Sequence, residues 1–564
     1  MVWRSLLLLL LVFALVMPVA YSKLNSTVED FVSQQPEINS TIEIYGSKFF
    51  MKSTGEQFFI KGIAYQPSVA EGDNSQNRYT RSKFIDPMAE KDICLRDLPY
   101  LQRLGINTVR VYSIDPERNH DECFGAFAKA GIYVISDLSE PDTSISRKDP
   151  SWDVEIFERY IKVVDSLNKY DNLLGFFAGN EVTNDKTNTD ASPFVKASIR
   201  DIKNHIQEQG YRKIPVGYST NDDSETRKNL ADYFACEPDN STADFYGINM
   251  YEWCGYSTYW ASGYRERTNE FKDYPIPVFF SEFGCNTKRP RPFTEVEALY
   301  GEWMTDIWSG GIAYMYFEES NEYGIVEVVQ GELNVLPDFE NLKKQFQASE
   351  PKGISLKEYQ DKAYMMKTPT CPSNSKNWEA SEYLAPTPDS VKCYCMENSL
   401  QCKLSPYAKA DELGKIFKYA CGIIDCDDIK TDGRKGDYGP FSDCSSRQKA
   451  SYVINELFMR HGGDHKYCDF NGLAVLNSKI LSPSELKTYD TLNGDSCAEF
   501  LDQHSVAKTA RETGSKAPSS PNSTQRGRSN AVFSNRAVKL QFYSQLLNAI
   551  GLCSVLVFVF LFLG

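Results

Sequence analysis

Eight short runs of β-branched and aromatic residues, separated by longer stretches with a helical pattern, constrain the fold of this chain more than any other feature. The runs cover residues 58–66, 108–113, 133–139, 173–182, 214–220, 244–251, 276–284 and 310–318. Helix-like stretches lie between them, for example 153–169, 193–209 and 292–308. Strands that alternate with helices pair in parallel, and eight such units close into a barrel. We therefore expect an α/β fold built on a (β/α)8 TIM barrel.

An open, doubly wound parallel sheet is the alternative arrangement of the same elements. A nucleotide-binding sheet of that kind carries a glycine-rich loop after its first strand. No such loop follows residue 66, which favours the barrel. Residues 42–58 have the pattern of a hairpin, and we expect this hairpin to close the floor of the barrel.

The first residues of the chain indicate secretion. Residues 6–17 form an apolar run, and Ala20 and Ser22 follow it at the spacing of a cleavage site. We therefore expect residues 1–22 to be a signal peptide. A membrane anchor is the alternative, but the run is short for a span and ends at Pro18.

The last residues indicate a lipid anchor. Residues 546–564 are apolar and no basic residue follows them, whereas a spanning helix usually has a basic cytoplasmic flank. Small residues lie upstream, and this combination is typical of a GPI-attachment signal. We expect attachment at Asn530 and removal of residues 531–564. A tail-anchored helix is the alternative.

The cysteines agree with an oxidising compartment. The chain has 15 cysteines, and Cys553 lies in the apolar tail, so 14 remain for disulfide bonds. No cysteine pairs have the spacing of metal ligands and the five histidines are scattered, so we expect no metal and no other cofactor. Glycosylation sequons, which fit secretion, begin at Asn25, Asn39, Asn240 and Asn522.

The length of the chain indicates more than one domain, and its net charge argues against nucleic acid as a partner. A chain of 564 residues is too long for a single core. We expect a barrel domain at 23–350, a linker rich in Pro, Ser and Thr at 351–390, a mainly helical cysteine-rich module at 391–500 and a disordered segment at 501–530. A net charge of −15 argues against nucleic-acid binding, which requires clustered Lys and Arg.

Two glutamates end strands of the predicted barrel. The fourth run ends in Asn180-Glu181, and the seventh contains Ser281-Glu282. Active sites of such barrels lie at the carboxyl ends of the strands, and hydrolysis of a glycosidic bond requires a pair of carboxyl groups. Apolar neighbours such as Phe177 would raise the pKa of one glutamate so that it stays protonated. One such glutamate alone would indicate a turn, whereas two favour a glycosidase site.

The motifs around these glutamates resemble a known family. The arrangement is similar to that of retaining glycosidases, which implies that Glu181 is the acid/base and Glu282 the nucleophile. Several motifs in order resemble the fungal β-1,3-glucanosyltransferases of glycoside hydrolase family 72: Lys61-Gly-Ile-Ala-Tyr-Gln66, Val109-Arg-Val-Tyr-Ser113, Phe177-Ala-Gly-Asn-Glu-Val182, Gly217-Tyr-Ser-Thr-Asn-Asp222, Asn249-Met-Tyr-Glu-Trp-Cys254 and Ser281-Glu-Phe-Gly-Cys285.

The resemblance implies an enzyme that cleaves β-1,3-glucan internally and transfers the new reducing end to the non-reducing end of another chain, which elongates wall glucan. It implies donor and acceptor glucan chains as partners, with the enzyme held by a GPI lipid at the extracellular face of the plasma membrane and in the cell wall. We expect a monomer. An endo-β-1,3-glucanase and a non-enzymatic glucan-binding wall protein are the alternatives.

The resemblance also implies substrate-binding residues. The glucan groove would contain Gln66, Tyr112, Asp137, Asn180, Tyr251 and Tyr316. A donor loop would include Ser139 and Arg147, and the acceptor side would include Asp222 and Arg227. Core packing is the alternative for each tyrosine, with Tyr314 the alternative groove residue to Tyr316. For Asp222 and Arg227 it is an exposed ion pair.

The cysteine-rich segment resembles the family 43 carbohydrate-binding module, of X8 type, found in some of these enzymes. Its eight cysteines allow many pairings by spacing alone. The resemblance implies the pairs Cys393–Cys444, Cys395–Cys497, Cys402–Cys468 and Cys421–Cys426, with Cys94–Cys123, Cys236–Cys371 and Cys254–Cys285 in the larger domain. A stabilising cap without sugar affinity is the alternative for the module.

Overall fold

A computed structural model of the protein describes residues 38, 40–68, 84–237, 239–360 and 366–513, with side chains as far as Ser505. None of the helices within these ranges has both the length and the apolar character that a membrane span requires. Several predicted features lie outside the described residues: the signal peptide 1–22, Asn25, Asn39, Asn522, Asn530 and the segment 531–564.

Eight parallel strands form a closed barrel, so the predicted fold is confirmed. Each strand pairs with the next along the chain, and the last pairs with the first. The strands are β3 (Ile60–Ala64), β4 (Thr108–Val111), β5 (Tyr133–Asp137), β6 (Leu173–Asn180), β7 (Val216–Asn221), β8 (Tyr246–Met250), β9 (Val278–Phe283) and β10 (Trp308–Ala313).

Helices surround the barrel because each strand buries both of its faces, one toward the barrel interior and one toward the helices. In β9, Phe279 packs in the interior cluster and Phe280 in the outer one. The helices are α1 (Lys91–Leu104), α2 (Asp121–Lys129), α3 (Val154–Leu167), α4 (Ser192–Glu208), α5 (Arg227–Ala235), α6 (Tyr264–Glu270), α7 (Glu295–Leu299), α8 (Pro337–Ala348) and α9 (Leu356–Gln360). A small hairpin, β11 (Val326–Val329) and β12 (Glu332–Val335), follows the barrel.

The predicted floor hairpin is present as β1 (Ile42–Tyr45) and β2 (Lys48–Met51). Phe49 is fully buried, and its ring lies 6.2 Å from that of Phe245 and 6.1 Å from that of Phe279. Both partners lie at the amino ends of barrel strands, so Phe49 fills the lower end of the barrel interior.

The helix predicted at 292–308 is wrong over most of its length. Only α7 is helical there, and the segment 300–307 turns before β10 begins at Trp308. The hydroxyl of Tyr300 donates to the carbonyl of Ile60 and accepts from the N–H of Gly311. These bonds hold the chain against the barrel, so the tertiary structure ends the helix early.

The expected linker packs against the barrel. Trp378 is fully buried and its ring lies 5.2 Å from that of Tyr233. The disulfide Cys236–Cys371 joins the end of α5 to the middle of this segment. The connection between barrel and module is therefore held at Cys371 and at Trp378.

The cysteine-rich module is mainly helical. Its backbone contacts the barrel where the N–H of Val154 donates to the carbonyl of Asp443. Its elements are α10 (Ser390–Ser399), α11 (Ala410–Ala420), α12 (Ser446–Arg460) and α13 (Pro483–Leu486), with short strands β13 (Cys402–Leu404), β14 (Thr431–Asp432), β15 (Asp437–Tyr438) and β16 (Ala474–Leu476).

The expectation of disorder from residue 501 is wrong at its start. Helix α14 spans Cys497–Thr513, since residues 506–513 include the strong helix formers Ala, Lys, Arg and Glu. The structure places residues up to Cys497 in one unit, and Ala498 begins a second.

Seven disulfide bonds lie among the described residues, with the pairings that the family resemblance implies. Cys254–Cys285 joins the loops that follow β8 and β9, and Cys94–Cys123 joins α1 to α2. Four bonds close the module: Cys393–Cys444, Cys395–Cys497, Cys402–Cys468 and Cys421–Cys426.

We expect Phe49→Ala to lower the free energy of unfolding by about 3–5 kcal/mol, because it removes a ring from a closed interior and leaves a cavity. Tyr45→Ala on the same hairpin is the matched control, since Tyr45 is 38% exposed, and its cost should stay below about 1 kcal/mol. Urea unfolding of the three proteins measures both values. Equal losses would contradict the role assigned to Phe49.

Candidate active site

The two candidate glutamates lie at the carboxyl end of the barrel. Glu181 directly follows β6, and its φ of 50° is a left-handed conformation uncommon for residues with a side chain. Its N–H donates to the carbonyl of Ser219 on β7 at 2.9 Å. Glu282 is the fifth residue of β9 and is 8% exposed. The neighbouring strands therefore fix the backbone at both glutamates.

A cleft of about 390 Å³ opens at this end of the barrel. Its walls come from the ends of β4, β5 and β6 and the loops that follow them, and they include Glu181. A larger hollow of about 770 Å³ lies at the opposite end, beside the floor hairpin, and neither glutamate lines it. We assign the site to the smaller cleft, because Glu181 lines it together with Tyr112, which bonds Glu282.

Three donors hold the Glu282 carboxylate. The hydroxyl of Tyr112 donates to Oε1 at 2.8 Å, and that of Tyr251 donates to Oε2 at 2.9 Å. Nη1 of Arg110 lies 3.4 Å from Oε1. Both carboxylate oxygens are therefore fixed in direction, as an attacking group requires.

Arg110 is fully buried and bound on all sides. It donates to Asp137 through Nε and Nη2, both at 3.0 Å, and to the carbonyl of Ser281 at 3.2 Å. Its guanidinium carbon lies 4.4 Å from the ring centre of Tyr112 and 4.3 Å from that of Phe177. Asp137 therefore acts through Arg110, as well as lining the cleft.

Opposing influences act on the pKa of Glu282. Burial raises the pKa of this carboxyl above its ordinary value, and the negative charge of Glu181 adds to the rise. Arg110 and the hydroxyls of Tyr112 and Tyr251 lower the pKa, because each stabilises the ionised form. The contacts from Arg110, Tyr112 and Tyr251 therefore offset part of the rise that burial causes.

Asn249, at the fourth position of β8, bonds Glu181 and is the register partner of Glu282 on β9. Its Nδ2 donates to Oε1 of Glu181 at 2.8 Å and to Oδ1 of Asn180 at 3.2 Å. Its Oδ1 accepts from Ser219 at 3.2 Å and from Ser281 at 2.9 Å. The side chain is 3% exposed, so a network of uncharged groups positions Glu181.

Arg110 and Asn249 are not among the site residues expected from the sequence. Both stand inside the motifs that resemble the family, and each is a strongly polar residue within a strand buried on both faces. A buried polar group requires partners. That requirement is the signal that could have identified them.

Gln66 and the donor loop hold the backbone of segments that line the cleft. Oε1 of Gln66 accepts from the N–H groups of Tyr112 and Ser113, and its Nε2 donates to the carbonyl of Ile85. Ser139 lines the cleft, and Arg147 donates to the carbonyl of Glu181. These contacts orient the loops around the glutamates.

The assignment of Tyr316 to the groove is wrong. Its side chain is fully buried in the outer cluster and its ring lies 5.5 Å from that of Tyr65. Tyr314 takes the rim position instead, with its ring 6.5 Å from that of Tyr112. Strand β10 ends at Ala313, so the alternation of faces that linked the two tyrosines does not continue to residue 316.

Asp222, in the loop after β7, and Arg227, the first residue of α5, form an ion pair. Arg227 is 8% exposed and also pairs with Glu270 at 3.2 Å. The structure therefore shows an ion pair, but a largely buried one and not the exposed pair that was the alternative.

Metal ligation has one geometric candidate among the described residues, formed by Cys393, Asp443 and Cys444. The two cysteines already share a disulfide bond, so their sulfurs are not thiolate ligands.

Comparison with known proteins gives matches over most of the chain. A family model described as glucanosyltransferase matches residues 31–350, and one described as X8 domain matches residues 400–475. The 1,3-beta-glucanosyltransferase GAS2 of Saccharomyces cerevisiae is 54% identical over 458 residues, which cover 79% of this chain and 81% of the relative. The 1,3-beta-glucanosyltransferase PGA5 of Candida albicans is 48% identical over 522 residues, which cover 88% and 80%.

Solved structures of a relative also match this chain over most of its length. Saccharomyces cerevisiae Gas2p in complex with laminaritetraose and laminaripentaose superposes with a TM-score of 0.72 at 53% identity, over 79% of this chain and 96% of that one. Its apo structure superposes with a TM-score of 0.74 at 54% identity, over 79% and 93%.

We expect Tyr251→Phe to move the acid limb of the kcat/KM profile to higher pH. The variant loses a hydrogen bond to the ionised carboxylate, so the pKa of Glu282 rises further and the nucleophile protonates at a higher pH. Rates on a soluble β-1,3-oligosaccharide across the acid range measure the shift. Tyr314→Phe is the control. Tyr314 lies at the same rim, but its hydroxyl makes no hydrogen bond to Glu282 among the described contacts. An unshifted limb in Tyr251→Phe would contradict this electrostatic account.

Proposed function

The chain belongs to the glucanosyltransferase family, glycoside hydrolase family 72, and we propose that it cleaves β-1,3-glucan internally and transfers the new reducing end to the non-reducing end of another β-1,3-glucan. It is a transglycosylating enzyme of the glycoside hydrolase type. The observation that carries the proposal is a pair of glutamates at the carboxyl ends of β6 and β9, of which Glu282 is held by Tyr112, Tyr251 and Arg110.

We assign the nucleophile to Glu282. Its carboxylate attacks the anomeric carbon of the donor sugar while the protonated carboxyl of Glu181 gives its proton to the leaving oxygen. A covalent glycosyl-enzyme results, and the leaving fragment departs with the proton. The fixed direction of both Glu282 oxygens supports this assignment, because a nucleophile must be aligned before bond formation.

The second step returns the proton. Glu181, now ionised, takes the proton of the 3-hydroxyl at the non-reducing end of an acceptor chain, and that oxygen displaces Glu282 from the anomeric carbon. The amide of Asn249 donates to Glu181, which holds this carboxyl in place for both proton transfers. Water in place of the acceptor would give hydrolysis by the same two glutamates, so transfer depends on the acceptor's effective concentration.

We propose binding roles for the surrounding residues. Tyr112, Tyr251 and Tyr314 would contact the donor sugars, and Asn180 would bond the 2-hydroxyl at the reacting sugar. Asp222 and Arg227 would contact the acceptor after their ion pair adjusts. The laminari-oligosaccharides of the Gas2p complexes support β-1,3-glucan as the ligand.

The domain and location assignments are also proposals. We propose a signal peptide at 1–22, a catalytic domain at 23–350, a carbohydrate-binding module at 391–500 and a GPI anchor at Asn530. The enzyme would act as a monomer at the extracellular face of the plasma membrane and in the wall. The disulfide-rich structure supports an oxidising compartment.

Products from a reduced β-1,3-oligosaccharide donor test the function. The secreted protein without residues 531–564 should form products longer than the supplied oligosaccharide, whereas an endo-glucanase would form shorter products only. We expect Glu181→Gln to lower the rate by about 10²–10⁴-fold, because it removes proton transfer, and Glu282→Gln to lower it at least as far.

Glu208→Gln is the matched control, since Glu208 is exposed at the end of α4, and its products should be unchanged. Elongation that survives in either active-site variant would overturn the assignment of the pair.

A further inference from the structure

An aromatic patch lies outside the cleft. The described residues include six tryptophans, of which Trp152, Trp253, Trp308 and Trp378 are buried. The other two, Trp260 and Trp303, are 58% and 54% exposed, and their rings lie 5.7 Å apart. Exposed aromatic surface of this kind marks interaction sites.

Tyr259 completes the patch. Its ring lies 5.4 Å from that of Trp260 and stacks at 6.1 Å on that of Trp303, with an interplanar angle of 20°. We call Tyr259, Trp260 and Trp303 the flank patch. Two come from the loop between β8 and α6, and the third comes from the segment between α7 and β10.

The backbone that carries the flank patch is held in place. The N–H groups of Ala261 and Ser262 both donate to the carbonyl of Thr258. On the other side, the N–H groups of Met304 and Thr305 donate to the carbonyl of Gly301. The aromatic faces are therefore presented without a large entropic cost of ordering on binding.

The flank patch is separate from the cleft. The backbone carbonyl of Asp306, three residues after Trp303, accepts from Lys48 of the floor hairpin. The loop that carries Trp260 begins at the rim, where Cys254–Cys285 joins it to the loop that follows the strand of Glu282. The patch thus lies on the outer side of the barrel, on a loop that is covalently tied to the catalytic rim.

We propose that the flank patch is a second binding site for β-1,3-glucan, which holds a wall polymer on the outer surface of the enzyme while another segment occupies the cleft. This inference rests on the proposed function, because the ligand is the same polymer. The C–H faces of sugar rings carry slight positive charge, which complements the negative faces of aromatic rings.

Size and charge favour glucan over other occupants. Two half-exposed tryptophans and one half-buried tyrosine offer roughly 300 Å², well below the roughly 800 Å² per partner of a stable protein interface. Exposed charges of both signs flank the patch, with Arg265 on one side and Glu302 and Asp306 on the other. An anionic lipid surface would require a basic cluster, whereas a neutral sugar chain does not.

The test measures adsorption to particles of insoluble β-1,3-glucan in a Glu181→Gln background, which prevents turnover. We expect Trp260→Ala/Trp303→Ala to bind about tenfold more weakly, because two stacking rings are lost. Trp260→Phe/Trp303→Phe keeps the rings and should retain most of the binding. Tyr45→Ala removes an exposed aromatic residue elsewhere and should bind normally.

A second measurement separates this proposal from the proposed function. In the Glu181-containing enzyme, the double alanine variant should transfer laminaripentaose at the parent rate. Unchanged adsorption to insoluble glucan would overturn the flank site, whatever the transfer assay shows. A parallel loss of soluble transfer would also overturn it, because the patch would then belong to the catalytic groove. A parent dimer in sedimentation that the alanine variant abolishes would assign the patch to a second copy instead.

Discussion

The active site depends on the contacts of one buried side chain, the guanidinium of Arg110. A charge that is fully buried is costly unless partners surround it, and Arg110 has Asp137 on one side and Glu282 on the other. Removing either partner would leave the other charges uncompensated inside the barrel. The same contacts that stabilise Arg110 therefore also fix the proposed nucleophile.

A second, uncharged network serves the other glutamate. Ser219, Asn249 and Ser281 come from β7, β8 and β9, and their side chains bond to one another below Glu181. This network also requires glycine at position 247, since a Cβ there would lie 2.6 Å from the Cβ of Ser281. The two glutamates thus differ in environment, charged for Glu282 and neutral for Glu181, which is the asymmetry that an acid/base and a nucleophile require.

The sequence predicted those elements that a short stretch of neighbouring residues specifies by itself. The eight strands follow from short apolar runs, and Glu181 and Glu282 follow from their places at strand ends. The partners of Arg110 could not be read in this way, because Asp137 is brought to it by the pairing of β4 with β5 and Glu282 by the closure of the barrel. The assignment of Tyr316 to the groove was wrong for a related reason. Side chains alternate between faces only within a strand, and β10 ends before residue 316.

The rigidity of the loops at the rim affects whether the covalent intermediate reacts with an acceptor sugar or with water. Cys254–Cys285 ties the loops after β8 and β9, and Arg147 holds the loop after β6 by its backbone. Fixed walls let an acceptor sugar be held at high effective concentration against the covalent intermediate, whereas mobile walls would admit water in any orientation. A glucan segment held on the flank patch would increase the local supply of chain ends by the same principle of effective concentration. The disulfide framework therefore contributes to the choice of acceptor as well as to stability.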